Sequence, residues 1–191
     1  AANPPIPPPA IIMGLLSFML LSFVFLLSII EFNHSKRILK MVDDNISVDY
    51  SQMPAKITFP KNYNVASSFI DRHVEKGRGE RIAILGEFGS INYNTLQENV
   101  NKYGNALLDL GLSRGDRILM MVKDCPDFFY LFWGAIKAGL VPVPINTLLR
   151  SPDYQFMMED SACSLVIYSQ EFCKEVRFAL EATEGKTILS Y

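Results

Sequence analysis

Residues 106–146, ALLDLGLSRGDRILMMVKDCPDFFYLFWGAIKAGLVPVPIN, constrain the fold more than any other stretch of the chain. They read as helix end, turn, strand, helix and strand. Leu107 and Leu110 close a first helix, and residues 111–115 turn the chain. Residues 117–122 form a β-rich apolar run, long enough for a buried strand and too short for a helix. Asp124 and Pro126 open a second helix and Gly139 ends it; residues 141–145 then return as a strand. Strand, helix and strand within about 30 residues make a βαβ unit, whose two strands run parallel.

The alternation continues on both sides. Residues 64–75 predict a helix with Val65, Phe69, Ile70 and Val74 on its apolar side. Residues 81–85 and 90–93 predict a hairpin bent at Gly86 and Gly89. Asn94, with Gln97 three residues on, suits a helix cap, and Leu96, Val100, Leu107 and Leu110 keep one apolar face. Ser151 and Pro152 open a further helix as cap and first turn. A strand over 165–168 follows, then a helix over 171–182 with Phe172, Val176, Ala179 and Leu180 inward, then a strand over 187–190. The succession predicts an α/β fold whose βα units build a flavodoxin-like parallel sheet.

The helix over 127–138 is apolar all round, from Phe128 to Ile136, yet too short to cross a bilayer. It must therefore be buried on several sides. One sheet covers one face, so the expectation is that its other faces need partners from sequence downstream, with the strand over 187–190 an open edge.

The front of the chain differs. Residues 1–9 are Pro-rich, and residues 10–30, AIIMGLLSFMLLSFVFLLSII, carry no charge. At ~1.5 Å per residue such a run spans a hydrocarbon core of ~30 Å, so a transmembrane helix is predicted. Lys36, Arg37 and Lys40 follow it, which puts the C-terminal part on the cytoplasmic side. Residues 31–56 read as polar linker. A second reading stands beside this one: Met41 is the true start, residues 1–40 are translated upstream sequence, and the protein is cytoplasmic.

The net charge of −2 gives no basic footprint for nucleic acid. Cys125, Cys163 and Cys173 are scattered and odd in number, which argues for buried reduced thiols over a disulfide framework or zinc site. His34 and His73 have no second ligand nearby and read as surface residues. The run Gly77-Arg-Gly79 lacks a third glycine and precedes a strand, so it is no dinucleotide fingerprint. Asp116 and Asp124 flank a strand as in a phospho-receiver, but capping of the turn and of the next helix explains both. Trp133 either faces a ligand or sits in the core, and its aromatic neighbours favour the core.

Gly115-Asp116-Arg117 before a strand, Lys137-Ala138-Gly139 at a helix end, and Pro142 and Pro144 in the next strand resemble the early signature of the adenylate-forming, AMP-producing acyl-CoA synthetases. FPKNYN at residues 59–64 and PINTLLRSPDY at 144–154 are similar to the benzoate–CoA ligase branch. The resemblance covers residues 57–191 and implies a truncated N-terminal region of that fold. Lys137 belongs to the signature, although a solvated place in the last helical turn accounts for it.

The resemblance also implies a reaction: acid plus ATP gives an acyl-adenylate, and the acyl group passes to CoA. ATP, magnesium and CoA are implied for the complete enzyme only. The family's Ser/Thr/Gly-rich phosphate loop does not occur in this sequence, and its catalytic lysine and most of its acyl pocket are expected beyond Tyr191. No catalytic, cofactor-binding or metal residue is therefore assigned. The expectation is a fragment inactive alone, with the membrane and the missing C-terminal part of the ligase as partners. The alternative is a membrane-anchored, non-catalytic binding module reusing the fold.

Overall fold

A computed structural model describes residues 46–183 and the backbone of residues 189 and 190. By internal contacts the chain divides into Ala1–Lys36 and Arg37–Tyr191, and every described residue belongs to the second unit. The Pro-rich start, the transmembrane helix expected over 10–30 and the first part of the expected linker lie outside the described residues. Among the described residues no helix is long and apolar enough to cross a membrane.

Residues 46–56 are not all linker. β1 (Ser47–Asp49) pairs antiparallel with β2 (Lys56–Thr58), Val48 opposite Ile57. All six strand residues are exposed, so no alternation of burial was there to be read. The Asp49 carboxylate ties the loop between them, accepting from Ser51 N at 2.9 Å and Ser51 Oγ at 2.6 Å.

The helix expected over 64–75 is present as α1, one π-helical turn (Ser67–Asp71) running into an α-turn (Arg72–Glu75). Ile70 is buried, but Phe69, expected inward, is 56% exposed. With Val48, Ile57 and Phe59 it lines an open apolar concavity of about 530 Å³. The hairpin follows as β3 (Ile82–Gly86) and β4 (Gly89–Asn92). The cap of α2 (Tyr93–Asp109) comes two residues earlier than expected. Asn92, not Asn94, caps it by accepting from Thr95 N at 2.9 Å. Asn94 donates to Glu80 and Gln97 to Asp71, so neither serves the helix end.

The βαβ unit is β5 (Arg117–Met121), α3 (Pro126–Lys137) and β6 (Val141–Pro144). Cys125 occupies the N-cap position of α3 and makes no side-chain cap bond, so Asp124 is not the cap. α4 (Ser151–Ser161) starts after Arg150, which takes the cap position expected for Ser151. β7 (Leu165–Tyr168), a 3₁₀ turn (Gln170–Phe172), α5 (Cys173–Ala182) and β8 (Leu189–Ser190) complete the order. The four strands of this sheet are parallel in the order β6-β5-β7-β8.

β5 is buried on both faces. Ile118 and Met120 meet α2 and α3 through Leu107, Leu131 and Ala135. Leu119 and Met121 meet α4 and α5 through Tyr154, Met158, Val176 and Ala179. A strand so enclosed reads as a continuous apolar run, as RILMM does. α3 finds its other partners upstream, not downstream as expected. Tyr130 packs with Ile70, Ile91, Leu96 and Val100, so α1, the hairpin and α2 cover its outer side.

Gly134 is where α3 touches α2. A Cβ built there would lie 2.9 Å from both the Gly104 N and the Val100 O, which are backbone atoms and cannot swing aside. Gly134→Ala gains ~1 kcal/mol of helix propensity. It must also push two helices apart, at a cost of ~1–3 kcal/mol or more. The clash is against backbone, so we expect net destabilisation of ~1–2 kcal/mol. Urea unfolding of the full chain in neutral detergent, followed by near-ultraviolet dichroism of Trp133, would show an earlier midpoint; an unchanged or later midpoint would refute the close packing.

Candidate functional site

Parallel α/β sheets bind ligands outside the carboxyl ends of their strands, where neighbouring connections leave in opposite directions. Here that point lies between β5 and β7. The chain leaves β5 for β6 on one side, then crosses over to β7 on the other. The loops after β5 (residues 122–125) and after β7 (residues 169–172) therefore meet at this switch point, at the centre of the sheet edge.

The two loops are laced together. Ser169 N donates to Met121 O at 3.0 Å, and Lys123 N donates to Ser169 Oγ at 3.0 Å. Lys123 Nζ lies 2.9 Å from Glu171 Oε1, with both side chains about half exposed. The bond to Glu171 raises the Lys123 pKa, and that of Glu171 is lowered first by its own backbone N–H and then by Lys123. Both groups stay charged at neutral pH. Tyr168, half-buried, has its pKa raised by burial and then by Cys173 beside it.

The loop after β6 is built differently. Asn146 Oδ1 accepts from Leu148 N at 2.9 Å and holds a turn. Ser151, expected as a cap, instead gives its Oγ to Glu175 Oε2 at 2.6 Å, joining α4 to α5. Among the described residues the edge thus presents a paired lysine, a carboxylate, a serine and two half-buried thiols, with no imidazole bonded to any of them. Among the described residues no three His, Cys, Asp or Glu side chains are grouped to hold a metal. Among the described residues the edge groups no nucleophile with its own base.

The residues of the Gly-Asp-Arg and Lys-Ala-Gly runs lie at the opposite end of β5 and act as framework. Gly115 and Gly139 both have left-handed backbone, φ 92° and 83°, which only glycine adopts freely. Gly115 N donates to Gly139 O at 3.0 Å, closing the βαβ unit at its base. Asp116 Oδ2 accepts from Ser113 N at 2.7 Å, the turn cap expected of it. Lys137 is not solvated. Its Nζ lies 2.6 Å from Asp71 Oδ1, with side chains 9% and 16% exposed. Asp71 comes from α1, 66 residues upstream, so no local spacing could reveal the pair. Asn64 of the FPKNYN run donates to Ile136 O and Lys137 O at 3.0 and 3.2 Å.

The other candidates are dispersed. Trp133, expected in the core, is half-buried and stacked on Phe69 at 5.7 Å. Cys163 is buried as expected, while Cys125 and Cys173 are half-buried free thiols at the ends of the loops after β5 and β7. His73, expected on the surface, is half-buried against the Tyr93 ring at 4.1 Å. His34 lies outside the described residues. Sequence reasoning missed Lys123, Ser169 and Glu171, because strand order, which brings their loops together, is not written in local pattern.

The sequence matches the AMP-binding enzyme family over residues 70–190. It is 44% identical over 124 residues to the benzoate–CoA ligase of Thauera aromatica, covering 64% of this chain and 24% of that enzyme. It is 43% identical over 112 residues to the 4-hydroxybenzoate–CoA/benzoate–CoA ligase of Rhodopseudomonas palustris, covering 59% and 21%. The crystal structure of a benzoate CoA ligase from Burkholderia xenovorans LB400 superposes with a TM-score of 0.61 at 32% identity, over 68% of this chain and 26% of that one. An anthranilate CoA ligase in complex with anthranoyl-AMP superposes with a TM-score of 0.63 at 25% identity, over 70% and 26%. The chain thus spans about a quarter of the length of these relatives. With the family match extending over most of its length and the signature residues in their structural places, the chain belongs to the AMP-binding enzyme family.

Proposed function

We propose that this chain is the N-terminal portion of a benzoate-type acid–CoA ligase and supplies scaffold, not chemistry. The observation that carries the reading is the 44% identity to a benzoate–CoA ligase over 124 residues, in a stretch whose signature side chains brace the βαβ unit. The complete reaction would condense a carboxylic acid with ATP to an acyl-adenylate, releasing pyrophosphate, then pass the acyl group to the thiol of CoA, releasing AMP.

The described residues do not fit ATP by themselves. Phosphate needs converging backbone N–H groups, usually from a glycine-rich loop. Residues 122–125 and 169–172, at the switch point, contain no glycine. Lys123, the cation of these loops, is held by Glu171. The role of the chain is to present the sheet edge on which the rest of a ligase would complete a site. Purified chain incubated with ATP, magnesium, benzoate and CoA should release no AMP above a boiled control; turnover would show that this chain carries chemistry of its own.

The same reading extends to the front of the chain. Residues 10–30 would anchor it in a membrane, with the AMP-binding portion on the cytoplasmic side. Carbonate washing of membranes should leave the full chain in the pellet and release a form starting at Met41. Recovery of the full chain in the supernatant would remove the anchor and favour Met41 as the start of a cytoplasmic protein.

A further inference from the structure

Residues 76–81 are clamped between the end of α1 and the start of α2, and His73 is the joint. Gly77, with φ 68°, turns the chain out of α1, and its N donates to Val74 O at 2.9 Å. Arg78 N then donates to His73 O at 2.8 Å. On the other side, Asn94 N donates to Gly79 O at 3.0 Å and Tyr93 N to Arg81 O at 3.1 Å. The His73 ring joins the two sides. It lies flat on the Tyr93 ring, with centroids 4.1 Å and planes 11° apart, and its Nδ1 accepts from Arg78 Nε at 3.3 Å.

An arginine Nε–H can only donate, so the Nδ1 it meets carries a lone pair. The imidazole is therefore neutral, with its proton on Nε2. A proton added at Nδ1 would set N–H against N–H and a cation against a guanidinium, so the contact cannot survive it. The neighbouring charges oppose that proton as well. The loop contributes Arg78 and Arg81, α1 contributes Arg72 and Lys76, and α2 contributes the uncharged phenol of Tyr93. Of the carboxylates on these elements, Asp71 is taken by Lys137 and Gln97, Glu80 accepts from Asn92 and Asn94, and Glu75 is exposed. Burial first, and then the cations, hold the His73 pKa below its ordinary value.

We propose that His73 is an acid-sensitive latch, whose neutral ring fastens residues 76–81 between α1 and α2 and whose protonated ring releases them. The sign follows from linkage. The closed joint takes up the proton less readily than an open one, so the latch is fully formed above the ordinary imidazole pKa of about 6.5. Closure weakens as the pH falls below that value, by up to about tenfold per pH unit, until the closed form is protonated too. The released end belongs to the helix whose Asp71 pairs with Lys137 of α3. The inference does not depend on the ligase reading, since no ligand or reaction enters it.

The test uses the full chain in neutral detergent as the H34Q form, which leaves one imidazole to observe. Two-bond ¹⁵N–¹H correlation across the ring reads its tautomer and its titration midpoint. We expect the Nε2–H form at pH 7.5 and a midpoint below about 6.5. Amide exchange, corrected for its intrinsic pH dependence, is then compared at pH 7.5 and 5.5. The amides of Gly77, Arg78 and Asn94 should lose protection at pH 5.5 several-fold, up to about tenfold, while those of β5 keep theirs. H73N retains an acceptor near the Nδ1 position but takes no proton, and should show no such loss. If H73N already loosens the joint at pH 7.5, R78A replaces it, and loss of the donor should bring the His73 midpoint up to its ordinary value. An Nδ1–H ring, a midpoint at or above the ordinary value, unchanged protection between the two pH values, a loss that persists in H73N, or a midpoint that R78A leaves in place overturns the proposal.

Discussion

The contact between α2 and α3 at Gly134 holds the rest of the structure in place. Two helix backbones meet there with no side chain between them, Gly134 of α3 against Gly104 and Val100 of α2. α3 can then turn Leu131 and Ala135 to the sheet while Tyr130 reaches the cluster formed with α1 and the hairpin. A larger residue at the contact would separate these layers, and each layer is too small to bury its own apolar face. The three clusters are therefore coupled through one helix, although β5 lies at the centre of the sheet.

The motifs that mark the family do mechanical work in this part of the fold. Gly115 and Gly139 close the base of the βαβ unit, and Asp116 fixes the turn before β5. Lys137 and Asn64 both fasten the C-terminal end of α3, one by an ion pair to α1 and one by bonds to the last carbonyls. A largely buried pair such as Lys137–Asp71 adds little net energy once desolvation is counted, but breaking one partner leaves a buried charge. Its consequence is positional: α1 and α3 have one register in which Asp71 Oδ1 receives both Lys137 and Gln97. The base of the sheet is thus rigid while its opposite edge carries the exposed polar loops, the division of labour expected of a doubly wound sheet.

The sequence was most legible where burial has a period. RILMM and LVIY could be read as unbroken apolar runs too short for helices, and the Leu96-Val100-Leu107 face by its helical spacing. It was least legible where a contact crosses many residues. The Asp71–Lys137 pair and the Lys123–Glu171 bridge depend on tertiary neighbours, and each residue alone resembles an ordinary surface side chain. The β1–β2 ladder went unread because its residues are all exposed. The apolar excess expected on the outer face of α3 was assigned to the wrong place. Upstream elements cover that face, and an apolar concavity formed by Val48, Ile57, Phe59 and Phe69 is left open instead.

Native-state amide hydrogen exchange on the full chain tests this coupling most directly. If α3 ties the layers together, amides of β5 and α3 share one opening free energy, the highest in the chain, and residues of α2 near Val100 and Gly104 join them. The β1–β2 ladder, exposed on every residue, exchanges far faster. Exchange of the β5 and α3 amides in separate steps, or as fast as β1 and β2, would contradict a single core organised by the α2–α3 contact.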